Sequence, residues 1–195
     1  MRVGIYAGTF DPIHAGHISF ALQAMERAGL DHVYFLPERK PRDKTGVEHF
    51  GHRTAMISRA LKPYSSFSLL ELDDISFTVK RTLPKLQELF PETEIALLLG
   101  SDAVSGIHTW PNHELLLKQC EIIVGVRASD TVSSAKHEID SWPLKPKVSY
   151  IFKSYAPQVS SSKVRQALRS NKKIQGSLTS VKRYSDKNWL YVALD

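Results

Sequence analysis

The chain has 195 residues, of which 42% are hydrophobic and 24% are charged, so it is long enough for one domain with a core of its own. Its apolar runs fall far short of the roughly 20 residues that span a membrane, it opens on a strand pattern rather than a signal peptide, and its single cysteine excludes an internal disulfide. We therefore expect one cytoplasmic domain over residues 1–195, with no membrane partner. The net charge of +6 fits a phosphate-rich substrate and does not by itself indicate nucleic acid, because no zinc spacing or RNA-binding aromatic pattern accompanies it.

Short apolar runs alternate with helical patterns along the chain. We predict strands at residues 3–7, 33–36, 67–70, 95–99, 122–126 and 148–152, and helices at residues 16–28, 49–61, 79–90, 112–119 and 161–170. This alternation is typical of an α/β fold, and it predicts a doubly wound parallel sheet covered by helices on both faces. The run at residues 95–99 has no polar alternation, as expected for a central strand. Residues 129–147 are polar, and we expect them to form a surface excursion.

The most informative segment follows the first predicted strand. Residues 8–17 read Gly-Thr-Phe-Asp-Pro-Ile-His-Ala-Gly-His. Gly8 lets the backbone approach an anion without a Cβ in the way, and the helix that follows presents unpaired N–H groups and the positive end of its dipole. His14 and His17 lie three positions apart, so both face one ligand where the helix has begun. The segment therefore predicts a phosphate site.

A second pattern of this kind opens the last predicted helix. Residues 159–165 read Val-Ser-Ser-Ser-Lys-Val-Arg. Serines at a helix start cap free N–H groups, which alone is enough to explain them. Arg165 adds a charged, two-pronged donor that suits phosphate oxygens. Gly8 and Gly100 both follow predicted strands, so both belong on the edge of the sheet where open α/β folds bind ligands.

These two segments resemble the GxFxPxHxGH and ISSTxIR motifs of the nucleotidyltransferase superfamily of α/β phosphodiesterases, which has a Rossmann-like fold. Several weaker segments resemble one branch, the bacterial nicotinate-nucleotide adenylyltransferases. They are the Gly-x-Asp…Thr-Trp pattern at 100–110, the basic loop at 37–44, the Arg-x-x-Met start at 53–56, the Ser-Phe-Thr turn at 76–78 and the tail at 181–191. The likeness therefore runs from end to end, with the C-terminal helical part, about 159–195, carrying the second phosphate motif.

The resemblance implies transfer of AMP from ATP to a pyridine mononucleotide, nicotinate mononucleotide being the first expectation, with release of pyrophosphate in NAD biosynthesis. It assigns catalysis to His14, His17 and Arg165. It assigns the ATP phosphates to Gly8, Thr9, Phe10, Lys44, Ser161 and Ser162. It assigns the mononucleotide to Thr78, Asp102 and Trp110. Mg²⁺ is expected to arrive on the triphosphate rather than at a metal site of the protein, since this ion takes few protein ligands.

Three positions depart from the family pattern. Arg42 and Asp43 replace Pro-His in the basic loop, and residues 80–83 follow the Ser-Phe-Thr turn with one residue more than usual. Pro111 stands where the family has a tyrosine whose backbone N–H helps to bind the nicotinate carboxylate, and proline has no such N–H. A lost hydrogen bond to a carboxylate costs about 1.5–3 kcal/mol, so the preference between the acid and the amide mononucleotide is open.

Other functions are compatible with parts of the pattern. Within the superfamily these are phosphopantetheine adenylyltransferases and cytidylyltransferases, although both are typically shorter. In another class, the chain is a nucleotide sensor that binds without turnover, and in a third it is an RNA-binding adaptor with a steep salt dependence. The sequence also leaves a homo-oligomer open.

Overall fold

Six parallel strands form the centre of the structure, a computed structural model that describes residues 1–42, 44–126, 130–156, 158–170 and 175–192. The strands are β1 (Arg2–Gly8), β2 (His32–Pro37), β3 (Phe67–Leu69), β4 (Glu94–Gly100), β5 (Cys120–Val126) and β6 (Ser149–Lys153). The helices are α1 (Ala15–Ala28), α2 (Phe50–Leu61), α3 (Val79–Leu89), α4 (Ser101–Val104), α5 (His113–Gln119), α6 (Val132–Ser141), α7 (Ser161–Arg169) and α8 (Thr179–Lys187). No helix in the described part of the chain has the length and apolar character needed to cross a membrane.

The strand order confirms the predicted doubly wound sheet. The order is β3-β2-β1-β4-β5-β6, and every neighbouring pair is parallel. From β1 the chain winds outward to β3, then crosses back to β4 on the other side of β1. The connections that leave β1 and β4 therefore diverge, and a crevice opens between them at the carboxyl ends of these strands. Gly8 ends β1 and Gly100 ends β4, so both lie at this crevice.

Each face of the sheet carries its own buried cluster. On one face, side chains of α1, α2 and α8, such as Phe20, Met56 and Val181, pack against the strands. On the other face, α3, α5 and α6 supply a second set that includes Leu83 and Leu116. The side chains of residues 95–99 in β4 are at most 5% exposed, as expected of a strand covered on both sides.

The five predicted helices are present, but α4, α6 and α8 were not predicted, and α4 is a single turn directly after β4. Residues 129–147 were expected to form a surface excursion with no helix assigned to it, and α6 occupies Val132–Ser141 within this segment. Its start is capped by the Thr131 hydroxyl, which accepts the N–H of Ser134 at 2.9 Å, and only Ala135 and Ile139 along it are buried. Helix α8 lies in the part expected to be helical, but it was not among the predicted helices. In α6 and α8 the stripe of buried side chains is too narrow to stand out in a polar sequence. The ends of the other predicted elements agree with the structure to within two residues.

Candidate functional site

A cleft of about 580 Å³ opens at the carboxyl ends of β1 and β4. Its floor includes Gly8, Gly100 and Gly125, which lie at or next to the ends of three adjacent strands. The volume is in the range of small-molecule sites, roughly 300–1,000 Å³. The cleft therefore lies where the topology of an open parallel sheet places a ligand.

Most of the predicted site residues line this cleft. They are Gly8, Thr9, Phe10, His14, His17, Lys44, Asp102, Ser161, Ser162 and Arg165. Thr78 and Trp110 are not among its lining residues. Trp110 packs against Phe77 with 6.2 Å between ring centroids, and the Oγ1 of Thr78 is buried with no hydrogen-bond partner among the described residues. The structure thus assembles the predicted phosphate residues with Asp102 and leaves the other two mononucleotide candidates outside the cleft lining.

The two histidines form the start of α1. His14 is the N-cap residue, and its Nδ1 accepts the N–H of Gly16 at 3.1 Å. His17 lies in the first turn, and its Nδ1 accepts the N–H of His14 at 3.1 Å. The rings stack with 3.7 Å between centroids. Because each Nδ1 accepts a backbone hydrogen, the proton of each neutral ring is assigned to Nε2, which makes Nε2 the donor.

Helix α7 is bonded directly to the first motif. Ser161 donates its hydroxyl to the carbonyl oxygen of Pro12 at 3.0 Å. Arg165 donates from Nη1 to the carbonyl oxygen of Asp11 at 2.5 Å and from Nη2 to the hydroxyl of Ser162 at 3.3 Å. The two segments are about 150 positions apart, yet they are in contact and both line one cleft. Their expected convergence is therefore observed.

Arg53 in α2 holds the loops behind the cleft, and the sequence did not single it out for this role. The side chain is 1% exposed. Its guanidinium donates to the carbonyl oxygens of Glu48, Thr9, Glu38 and Arg39 at 2.7–3.0 Å. Burial lowers the pKa of Arg53, although the nearby carboxylate of Asp11 opposes this shift. The signal that would have found it is an arginine on the buried stripe of an amphipathic helix.

The side chain of Asp11 accepts a hydrogen bond from the C-terminal tail, in addition to the bond from Arg165 to its backbone oxygen. The hydroxyl of Tyr191 donates to Asp11 Oδ1 at 2.6 Å, and Asp11 itself is 3% exposed. Burial and the Asp11 carboxylate both raise the pKa of Tyr191, so its hydroxyl stays a donor. The tail resemblance at 181–191 was the only hint of this contact in the sequence.

The loop after β2 supplies the remaining wall. Lys44 donates from Nζ to the Thr9 hydroxyl at 2.9 Å, so the predicted basic loop does reach the cleft. Arg42 instead donates to the carbonyl oxygen of Phe77 at 2.7 Å, and Asp43 lies outside the described residues. Glu38 lines the cleft while its Oε1 accepts the N–H of Phe77 at 3.0 Å. Within the described ranges, no three His, Cys, Asp or Glu side chains come together as metal ligands would.

Gly125 leaves room for an aromatic side chain in the cleft. A Cβ at this position would lie 2.7 Å from ring atoms of Phe20, which is buried and lines the same cleft. We expect Gly125→Ala to displace that ring, to lower the free energy of unfolding by about 1–3 kcal/mol and to weaken nucleotide binding. Urea unfolding and ATP titration measure the two effects.

The matched control for this substitution is Gly51→Ala. Gly51 is exposed in α2, and a Cβ there would meet only the His49 ring at ordinary contact distances of 3.4 Å or more. Alanine is a better helix former than glycine, so this variant is expected to be as stable as the parent or slightly more so. Equal stability and equal ATP affinity of the two variants would contradict the role given to Gly125.

The arrangement matches a known family. A model of the cytidylyltransferase-like family covers residues 5–167, a stretch that contains both phosphate motifs. A parallel sheet with a crevice at its switch point is therefore, in this chain, the framework of a nucleotidyltransferase.

Individual relatives define the branch. A protein of Coprothermobacter proteolyticus named "Probable nicotinate-nucleotide adenylyltransferase" is 34% identical, and the match covers 97% of this chain and 95% of the relative. A protein of the same name from Neisseria meningitidis is 29% identical over 97% of this chain and 98% of its own. The nicotinic acid mononucleotide adenylyltransferase of Plasmodium falciparum complexed with NaAD has the same fold, with a TM-score of 0.80, 22% identity and 97% of each chain covered. The chain belongs to the cytidylyltransferase-like family, in the branch of the nicotinate-nucleotide adenylyltransferases.

Proposed function

We propose that this chain transfers AMP from ATP to nicotinate mononucleotide and releases pyrophosphate, a step of NAD biosynthesis. Relatives of that name match nearly the whole chain. The observation that carries the proposal is the convergence of His14, His17 and Arg165 on one cleft at the switch point of the sheet. Two imidazole donors and one guanidinium around a single cavity suit a polyphosphate.

The chemistry follows from the groups that face the cleft. The 5′-phosphate of the mononucleotide attacks the α-phosphorus of ATP in line, the bond to the β-phosphate oxygen breaks, and pyrophosphate leaves with its electron pair. Such a transfer depends on alignment and on neutralising charge rather than on a protein nucleophile. The Nε2 donors of His14 and His17 hold oxygens of the α- and β-phosphates as charge builds there.

The outer phosphates bind at the start of α7 in this proposal. The hydroxyl of Ser161 is engaged with the Pro12 carbonyl oxygen, so Ser161 offers the phosphate its backbone N–H at the helix N-terminus. Ser162 and Arg165 add side-chain donors. Lys44 faces them from the opposite loop and neutralises further charge, while Thr9 and Phe10 contact the nucleotide through their backbone.

Mg²⁺ enters as part of the MgATP substrate. The Asp11 carboxylate already accepts from Tyr191, and one carboxylate oxygen of Glu38 accepts the N–H of Phe77. Mg²⁺ usually keeps several waters and binds mainly through substrate phosphates. We therefore assign the ion to the triphosphate, where its charge stabilises the leaving pyrophosphate.

The mononucleotide occupies the side of the cleft that contains Asp102 and Glu38. Asp102 follows β4 and accepts hydrogen bonds from a ribose hydroxyl in this proposal. Glu38 is hydrogen-bonded to the backbone N–H of Phe77, and Trp110 packs against the Phe77 ring. We propose that the pyridine ring extends past Glu38 toward Trp110, with the hydroxyl of neighbouring Thr78 as a polar partner.

The test is an assay of the pure protein with MgATP and either nicotinate or nicotinamide mononucleotide. We expect pyrophosphate and the dinucleotide to form in equal amounts with the nicotinate substrate, and the rate ratio of the two substrates gives the acid selectivity of a chain that has Pro111. Chromatography of the dinucleotide and a coupled pyrophosphate assay measure both products.

Phosphopantetheine serves as the comparison substrate in the same assay. If AMP is transferred to phosphopantetheine alone, phosphopantetheine takes the place of nicotinate mononucleotide as the proposed substrate. If the protein binds ATP but turns over no acceptor, the proposed function is instead that of a nucleotide sensor.

A further inference from the structure

The C-terminal tail forms a strained turn that reaches the cleft. Trp189 and Tyr191 are not glycines, yet their φ angles are +54° and +60°, in the left-handed region. The N–H of Leu190 donates to the carbonyl oxygen of Ser185 at 3.0 Å, and the buried Ser185 hydroxyl donates back to Leu190 O at 3.2 Å. Two such backbone conformations cost free energy and persist only where surrounding contacts hold them. The contact that this turn delivers is the Tyr191 hydroxyl on Asp11.

The carboxylate of Asp11 lies between a neutral donor and a cation. Oδ1 accepts from Tyr191 at 2.6 Å, whereas Oδ2 is 3.7 Å from Nη1 of Arg165. That same Nη1 donates to the backbone oxygen of Asp11 rather than to its carboxylate. The charge of Asp11 is also partly offset by buried Arg53. Arg165 is thus near the carboxylate without forming a close hydrogen-bonded pair with it.

A close arginine–carboxylate pair is the alternative arrangement for these groups. Paired, charge-assisted hydrogen bonds of this type are about twice as strong as neutral ones. Without the Tyr191 hydroxyl, a carboxylate that is 3% exposed would lose its donor at Oδ1. The guanidinium of Arg165, 3.7 Å from Oδ2, is the cation placed to replace it, and closing on Asp11 would turn it away from the cleft.

We propose that Tyr191 is a positioning residue for the triphosphate site, because its hydroxyl donates to the Asp11 carboxylate and thereby keeps Arg165 directed into the cleft. The inference rests on the proposed function, since it takes Arg165 as a ligand of the ATP phosphates. It adds to that function a determinant from the far end of the chain, 180 positions from Asp11.

Tyr191→Phe tests this proposal, since it removes the hydroxyl and keeps the ring. We expect the Kd of MgATP and the inhibition constant of pyrophosphate each to rise about tenfold, the effect of one lost hydrogen bond to a charged group. The KM of the mononucleotide is expected to stay within about twofold of the parent, because Arg165 does not face that substrate. Titration calorimetry with MgATP and product-inhibition kinetics measure this split.

Two further variants separate positioning from stability. Tyr184→Phe removes another hydroxyl of the C-terminal segment, one that bonds to His52 Nδ1 at 3.0 Å, and it is expected to leave ATP affinity unchanged. Adding Asp11→Asn to Tyr191→Phe removes the charge that attracts Arg165. This double variant is expected to recover ATP affinity to within about threefold of the parent.

The outcomes are distinct from those of the activity assay. Unchanged MgATP affinity in Tyr191→Phe, with or without a lower Tm, would show that the hydroxyl serves only stability. Failure of the double variant to recover affinity would overturn the competition between Tyr191 and Arg165, even if the single variant folds poorly. Absence of turnover in the parent would overturn the proposed function alone, because the comparison of MgATP affinities by calorimetry requires no turnover.

Discussion

Replacing His17 by alanine is expected to lower turnover by about 10²–10³. The substitution removes the Nε2 donor that faces charge developing between the α- and β-phosphates. It also removes the acceptor for the His14 N–H, so the start of α1 loses one side of its cap at a cost of about 0.5–2 kcal/mol. Pyrophosphate release under saturating substrates measures the first effect, and urea unfolding measures the second.

His49→Ala is the control for the structural part of this effect. His49 also caps a helix start through its imidazole, since it is the N-cap residue of α2 and its Nδ1 accepts the N–H of Gly51 at 3.3 Å, but it does not line the cleft. We expect this variant to lose comparable stability and to keep turnover within about threefold of the parent. If His17→Ala also stays within that factor, the histidine has no role in the transfer.

Replacing Arg53 by methionine is expected to lower the free energy of unfolding by about 3–5 kcal/mol. The guanidinium is buried and is bonded to four carbonyl oxygens, which would be left without this donor. One of them belongs to Thr9, so the turn proposed to bind the phosphates loses its support as well. Because a domain of this size has roughly 5–15 kcal/mol in total, we expect a large fall in the urea midpoint and in Tm.

Arg59→Met provides the comparison on the same helix. Arg59 is exposed, donates to the carbonyl oxygen of Ala55 at 2.9 Å and lies over the ring of Tyr184 at 4.3 Å. Exposed contacts of this kind contribute about 1 kcal/mol or less. A urea midpoint of Arg53→Met equal to that of Arg59→Met would refute the supporting role of Arg53.

The sequence predicted the six strands and the five helices with clear apolar faces better than it predicted the short or polar helices. The apolar run at 95–99 identified the central strand, because a strand covered on both faces needs no polar alternation. Helix α6 was missed because only Ala135 and Ile139 along it are buried, which leaves no clear apolar period. The strand order itself depends on contacts between distant segments that local patterns do not contain.

The candidate site was predictable where chemistry is concentrated in short motifs. His14, His17 and Arg165 each belong to such a motif, and the structure brings them to one cleft. Arg53 and Tyr191 were not assigned roles, because their partners are backbone oxygens and a carboxylate far away in the chain. Such pairings become visible only when the topology is known.

The bond between Arg165 and Asp11 joins positions 154 apart. A fragment that stops short of α7 therefore contains the histidines but not the guanidinium, and it has only part of the proposed phosphate site. Proteolytic nicking or interrupted translation should accordingly yield inert pieces instead of partially active enzyme, and nucleotide capture reports that both halves of the polypeptide have come together.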